Sequence, residues 1–201
     1  MKILRSIPVQ VPDERIYMRL GRYRHFAEIS SAQKEHFAKT IAAAKSKCRS
    51  AAAWEVVPIR SNRDSEVTIE GGDVFASPGL SKLLEGCDQV LLLAVTAGTE
   101  ICEAAKEASS AAETAIYDAV GSETADAAAA WIQDYVRQGL RPRGLAVAER
   151  RFSPGYGGLA LSVQEIFFRR LQLAELGMTL TPAFFMIPEK SVTALAGVSR
   201  I

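Results

Sequence analysis

The sequence predicts an α/β (α+β) chain in which helices flank a mixed sheet, and three observations carry that prediction. Residues Gln89 to Thr96 are nearly all apolar, as a central strand covered on both faces requires. Glu100 to Gln138 is alanine-rich with regularly scattered acids, a composition that favours helix and whose small side chains let neighbouring axes approach closely. Around these two segments, short apolar stretches alternate with helix-patterned ones, separated by Pro and Gly.

The elements follow in order. Ile3 to Val9 suits a first strand, and Pro12-Asp13-Glu14 places a proline and acids where a helix begins, to stop at Gly21. Ser31 to Cys48 is an amphipathic helix with Ser30 or Ser31 as cap, and with Phe37, Ile41 and Ala44 on one face. Ala52 to Ile59 reads as a strand, and Asp64 to Ile69 as a more polar one at an edge, closed by Gly71-Gly72. Ser77-Pro78 starts a short helix that ends at Gly86. In the alanine-rich region Gly121-Ser122 is expected to interrupt the helix, with Ser122 capping a second one. Ser162 is expected to cap a helix through Leu176, terminated by Gly177. Phe184 to Ile187 and Ser191 to Val198 read as a pair of closing strands, with Pro188-Glu189-Lys190 as their turn and the Ser191 and Thr193 hydroxyls at sheet edges.

With 201 residues and 48% hydrophobic content, the chain can bury a substantial core as one domain, 1–201. A formal net charge of +1 gives no general electrostatic reason to bind nucleic acid or an anionic membrane. Cys48, Cys87 and Cys102 are odd in number and lack metal-ligand spacing, which argues against a disulfide framework or structural zinc. No apolar run reaches membrane-spanning length and the N-terminus lacks a signal-like apolar stretch, so a cytoplasmic protein is expected.

The segment Arg151-Phe152-Ser153-Pro154-Gly155-Tyr156-Gly157 is where chemistry is expected. An arginine beside a turn built on Pro and Gly, with an aromatic just beyond, can hold a small zwitterion. The guanidinium grips a carboxylate while exposed backbone bonds an aromatic base. The competing assignments are a surface ion pair of Arg151 with Glu149 or Asp126, and a packing role for Tyr156 with its hydroxyl bonded to backbone. Other chemistry is poorly served. His25 and His36 show no ligand spacing, Ser153 lacks a Gly-x-Ser-x-Gly elbow, and the glycines after Pro154 lack the Lys-Ser/Thr of a phosphate loop. No catalytic nucleophile and no metal are therefore assigned.

In its order of motifs the chain resembles the reactivation (activation) domain of cobalamin-dependent methionine synthase. The Arg151 to Tyr156 segment matches that family's Arg-x-x-Pro-Gly-Tyr, and Leu180-Thr181 through Pro188 to Ser191-Val192-Thr193 matches its second element. Upstream, Met18-Arg19-Leu20-Gly21-Arg22-Tyr23, Thr96-Ala97-Gly98 and Asp118-Ala119-Val120-Gly121-Ser122 continue the resemblance. The motifs are more specific over 118–198 than over 1–98. The resemblance implies a twisted, mixed, largely antiparallel sheet flanked by helices. It also implies S-adenosylmethionine as ligand, with Arg151, Ser153, Pro154, Gly155 and Tyr156 at the site and Asp126 where the family has a ligand-facing glutamate. In the family this domain supports reductive methylation of a corrinoid. The implied partners are thus a separate cobalamin-carrying methionine synthase or other corrinoid methyltransferase, and a flavodoxin-like electron donor. The chain departs from the pattern at Ala194-Leu195-Ala196-Gly197, where the family has aromatics. That departure favours the alternative, a corrinoid-protein docking or scaffold protein that kept the fold and lost S-adenosylmethionine binding.

Overall fold

The computed structural model of the chain describes residues 1–21 and 31–201, with side chains described at 1–21 and 35–201. Arg22, Tyr23, His25, Ser30 and the side chain of Ser31 lie outside the described residues. In chain order the strands are β1 (Lys2–Leu4), β2 (Ala51–Arg63), β3 (Glu66–Ile69), β4 (Val74–Ala76), β5 (Gln89–Thr96), β6 (Leu145–Val147), β7 (Thr179–Leu180), β8 (Met186–Ile187) and β9 (Ser191–Arg200). The helices are α1 (Asp13–Arg19), α2 (Ser31–Ser46), α3 (Pro78–Leu83), α4 (Thr99–Glu107), α5 (Ala111–Leu140) and α6 (Gln164–Arg170).

The sheet is built around β5, as its composition demands. Strands run in the order β4-β3-β2-β5-β9-β6, with β1 beside the first part of β2. Every pairing among the described residues is antiparallel. Alternation along β5 sends Leu91, Leu93 and Val95 into the core shared with α5, and Val90, Leu92 and Ala94 into the core beneath α3 and α6. Each buried Leu or Val is worth about 2 kcal/mol, more than the roughly 1 kcal/mol net of a ladder hydrogen bond, so apolar identity selects the central position. A third cluster joins α1, α2, α4 and the first half of α5.

Several boundaries differ from the sequence expectation for local reasons. β1 ends at Leu4, ahead of Pro8, and the Ile7 N–H goes to Ser50 O at 3.0 Å. β2 runs on to Arg63 because Asp64 and Ser65 both adopt positive φ, 53° and 65°, and close a two-residue hairpin. The polar strand therefore starts at Glu66 and lies inside β4 instead of at the edge. Ser77 caps α3 as expected, its Oγ accepting from Leu80 N at 3.1 Å.

The largest correction concerns α5, which passes unbroken through Gly121-Ser122. A Cβ at Gly121 would lie 2.8 Å from Lys190 Cγ and 3.2 Å from Ile101 Cγ1, so this glycine serves close packing of the helix and does not end it. The real break is at Ser109-Ser110. Ser110 Oγ accepts from Glu113 N at 3.2 Å, and the Glu113 carboxylate accepts from Ser109 N and Oγ at 2.8 and 2.7 Å. Ser-x-x-Glu is a capping-box spacing that was present in the sequence.

Ser162 caps nothing either: it sits within a 3₁₀ turn, Leu161–Val163, and α6 starts after Val163 without a side-chain cap. Leu171 and Leu173 are both fully buried. Residues two apart cannot share a helix face, and Gln172 resolves the conflict by taking φ 49°. A further 3₁₀ turn, Leu173–Leu176, then reaches Gly177 at φ 70°.

The two closing segments do not pair with each other. β8 pairs with β7, while β9 inserts between β5 and β6. Ala194, Leu195, Ala196 and Val198 are fully buried, and only the sheet centre covers both faces of a strand. Ser191 and Thr193 are accordingly buried rather than at an edge. Ser191 Oγ bonds Pro188 O and Thr96 Oγ1 at 2.7 and 3.0 Å, and Thr193 Oγ1 bonds Gln164 Oε1 at 2.8 Å. Among the described residues no helix is long and apolar enough to cross a membrane.

Ser110→Ala should lower stability by about 1 kcal/mol, read as a lower urea midpoint at unchanged slope. The Glu113 pKa is lowered by the Ser109 hydroxyl and then by the Ser109 N–H. Its contribution is therefore present above the pKa of the unfolded carboxyl and is lost as pH falls through the depressed folded value. Urea midpoints of wild type and Glu113→Gln should converge on acidification.

Candidate functional site

Next to the sheet centre the backbone carries a bulge. After β6, Ala148 N–H bonds Gly197 O at 2.8 Å, and Phe152 exchanges two 2.8 Å hydrogen bonds with Leu195. Residues 149–151 therefore stand opposite Ala196 alone, and the surplus backbone bends away from the ladder. The bend carries Arg151 towards α5.

Gln133 of α5 meets it there. Only 2% exposed, Gln133 donates from Nε2 to Ala148 O at 2.5 Å and to Glu149 O at 3.1 Å, while its Oε1 accepts from Arg151 Nη1 at 2.6 Å. Two carbonyls take up the donor side of the amide, which leaves only the acceptor side for the guanidinium. One turn further along α5, Arg137 donates from Nε to Val147 O at 3.2 Å and pairs with Asp134. One buried side chain thus fixes both the bulge and the arginine that projects from it.

Arg151 forms no ion pair among the described residues, with Glu149 and Asp126 included. Desolvation lowers its pKa, and the fields of Asp126 and Asp134 act in the opposite direction. A guanidinium stays charged through shifts of this kind. Its partner is a neutral amide, so the full positive charge remains available to an anion.

Beyond Arg151 the chain turns tightly against α3. The Phe152 ring lies where a Cβ on Gly79 or Gly157 would come within 2.8 or 2.5 Å of its Cζ, so both positions need glycine. Ser77 Oγ donates to Gly157 O at 2.8 Å. Pro154 is buried, Gly155 takes φ 88°, and Gly155 N and Leu159 N bond Leu159 O and Tyr156 O at 2.8 and 2.9 Å. Ser153 O accepts from Tyr156 N at 3.3 Å. Tyr156 is 72% exposed, which removes the packing role considered for it.

Asp126 lies on α5 two turns before Gln133, and it is engaged. Its Oδ2 accepts from Arg19 Nη2 at 2.9 Å, while Arg19 Nε donates to Glu123 Oε1 at 2.6 Å. Arg151 and residues 153–156 are thus brought together by the turn, and Asp126 is coupled to them only through its field. Reasoning from sequence passed over Gln133 and Arg19. Gln133 had a legible signal, being a polar residue four positions after Ala129 on the alanine seam; Arg19 had none, since its partners lie more than a hundred residues away.

No family model matches the chain, and no curated protein matches its sequence. Among solved structures it is similar to the MetH reactivation domain, in a crystal structure bound to AdoHcy, with a TM-score of 0.65 and 16% identity. The likeness covers 92% of this chain and 73% of that one. The chain therefore has the fold of that domain, a sheet flanked by helices as expected, with every described pairing antiparallel where a mixed, largely antiparallel sheet was expected.

Gln133→Leu should destabilise the fold by about 1–3 kcal/mol in urea unfolding, because the Ala148 and Glu149 carbonyls and Arg151 lose their buried partner together. Asp126→Asn, which weakens only an exposed pair, should stay within about 0.5 kcal/mol of wild type.

Proposed function

We propose that this chain binds S-adenosylmethionine and supports reductive methylation of a corrinoid carried by a separate cobalamin-dependent methionine synthase or related methyltransferase. In this reading residues 1–201 act as one domain, supported by the single sheet that contains both Lys2 and Arg200. The observation that carries the proposal is the Arg151 guanidinium. It is oriented by the neutral Gln133 amide, without an ion-pair partner among the described residues, beside a bent main-chain segment. The AdoHcy-bound reactivation domain of the same fold supports the choice of ligand.

The residues present fit most of that ligand. Arg151 is suited to the carboxylate, and the Ser153-Pro154-Gly155-Tyr156 turn offers backbone and an exposed aromatic ring to the adenosine. Asp126 fits the ammonium or sulfonium only if Arg19 releases it, since the carboxylate is already paired. When bound, S-adenosylmethionine supplies an electrophilic methyl group. The chain's own part is orientation and exclusion of water, a proximity effect that needs no protein nucleophile or base. A flavodoxin-like protein is the proposed electron donor, and the cobalamin belongs to the partner. The proposed setting is the cytoplasm.

One observation favours a second reading, a docking or scaffold protein without the ligand. Ala194, Leu195 and Ala196 are fully buried in β9 and bring no aromatic surface to the site.

Calorimetric titration with S-adenosylmethionine and S-adenosylhomocysteine separates the two. Saturable binding by wild type, weakened about ten- to a hundredfold in Arg151→Ala, is the expected result, because a charge-assisted hydrogen bond is worth about 1.5–3 kcal/mol. Absence of binding by wild type, together with retained association with a corrinoid protein, would leave only the docking role.

A further inference from the structure

A cleft lies near the C-terminal end of α5, at the edge where β1 begins against β2. Its volume is about 510 Å³, within the range of roughly 300–1,000 Å³ common for small-molecule sites. Trp54 and Tyr135 line it, their rings edge-to-face with centroids 5.6 Å apart. Trp131 stacks on Tyr135 at 5.3 Å with the planes 11° apart, so one face of that ring is held while 47% of the residue stays exposed. These are the only two tryptophans in the chain.

The charges around this aromatic wall are one-sided. Lys2, Gln138 and Arg143 line the cleft and make no side-chain hydrogen bond or ion pair among the described residues. Lys2 is directly opposite Trp54 in the β1–β2 register, on the same face of the sheet. The one acid in the lining, Glu55, is already bonded to Arg170 Nε at 3.0 Å. Two free cations and an amide therefore surround the exposed Tyr135 ring and the margin of the buried Trp54.

Gly139 supplies the remaining observation. It is the second-last residue of α5, where glycine still costs up to about 1 kcal/mol relative to alanine, and its φ is ordinary. A Cβ there would meet nothing within 4 Å. Neither backbone conformation nor packing accounts for the missing side chain. Its place in the cleft lining does, because a side chain would fill the space above the helix.

We infer that this cleft binds a planar aromatic anion, a flat ring that carries a carboxylate directly or a phosphate through a sugar. The ring lies along Tyr135 over Gly139 and abuts the margin of Trp54, the anionic group meets Lys2 and Arg143, and Gln138 bonds a polar edge. The site is separate from Arg151 and does not depend on the function proposed above.

The test is titration with uridine monophosphate and with benzoate, followed by fluorescence of Trp54 and Trp131 excited where neither probe absorbs. At least one anion should give a saturable change, the responding probe identifying phosphate or carboxylate as the group recognised. The matching neutral or ringless controls, uridine, benzyl alcohol and inorganic phosphate, should bind at least about tenfold more weakly. Arg143→Ala should weaken binding about tenfold. Gly139→Leu should abolish it while raising the urea midpoint, which a purely structural glycine would not do. Arg151→Ala should leave it unchanged. No saturable response to either anion overturns the inference, as does binding that survives Gly139→Leu at wild-type strength.

Discussion

The rest of the structure depends on how closely α5 lies against the sheet. Ala128, Ala129 and Ile132 are essentially without solvent contact and sit in one core with Leu91, Leu93, Ala194 and Ala196. Small residues on both sides bring the helix axis near the strands, and thirty residues of helix then span the sheet without a break. Gly121 extends the same logic to the other end, where α4 and Lys190 press against the helix. Asp126, Gln133, Tyr135 and Gly139 all take their positions from this one rod.

Close approach makes every polar group on the seam consequential. A glutamine at position 133 cannot reach water, so it must satisfy its amide within the fold, and the carbonyls left over by the bulge provide the acceptors. No buried side-chain polar atom among the described residues lacks a partner. The Thr193–Gln164 and Ser191–Thr96 pairs settle the same requirement inside β9. Using an amide instead of a carboxylate to hold Arg151 keeps a charge available at the surface. An internal ion pair would have neutralised it.

Much of the fold was legible in the residues. The apolar run at β5 and the Ser77-Pro78 start of α3 each reflect a local rule strong enough to survive packing. The failures came where tertiary contacts overrode a local sign. Gly121 reads as a breaker until Lys190 and Ile101 are seen beside it, and a helix reads through to Leu176 until buried Leu171 and Leu173 are seen to hold a left-handed residue between them. At the site, the Arg151 to Tyr156 turn was visible as a contiguous motif. Its support by Gln133, and the engagement of Asp126 by Arg19, were not, because hydrogen-bond partners eighteen or more residues apart leave no local pattern.

By itself the sequence determined where most of the longer helices and strands lie, which strand is central, and where a bent, arginine-bearing loop must occur, since hydrophobic periodicity and turn chemistry act over a few neighbouring residues. Only the tertiary structure decided that β9 rather than β8 fills the gap beside β5, that a neutral amide holds Arg151, and that an aromatic cleft opens over Gly139. Those outcomes follow from burial and from partner satisfaction among residues distant in the chain, and neither quantity exists until the chain has folded.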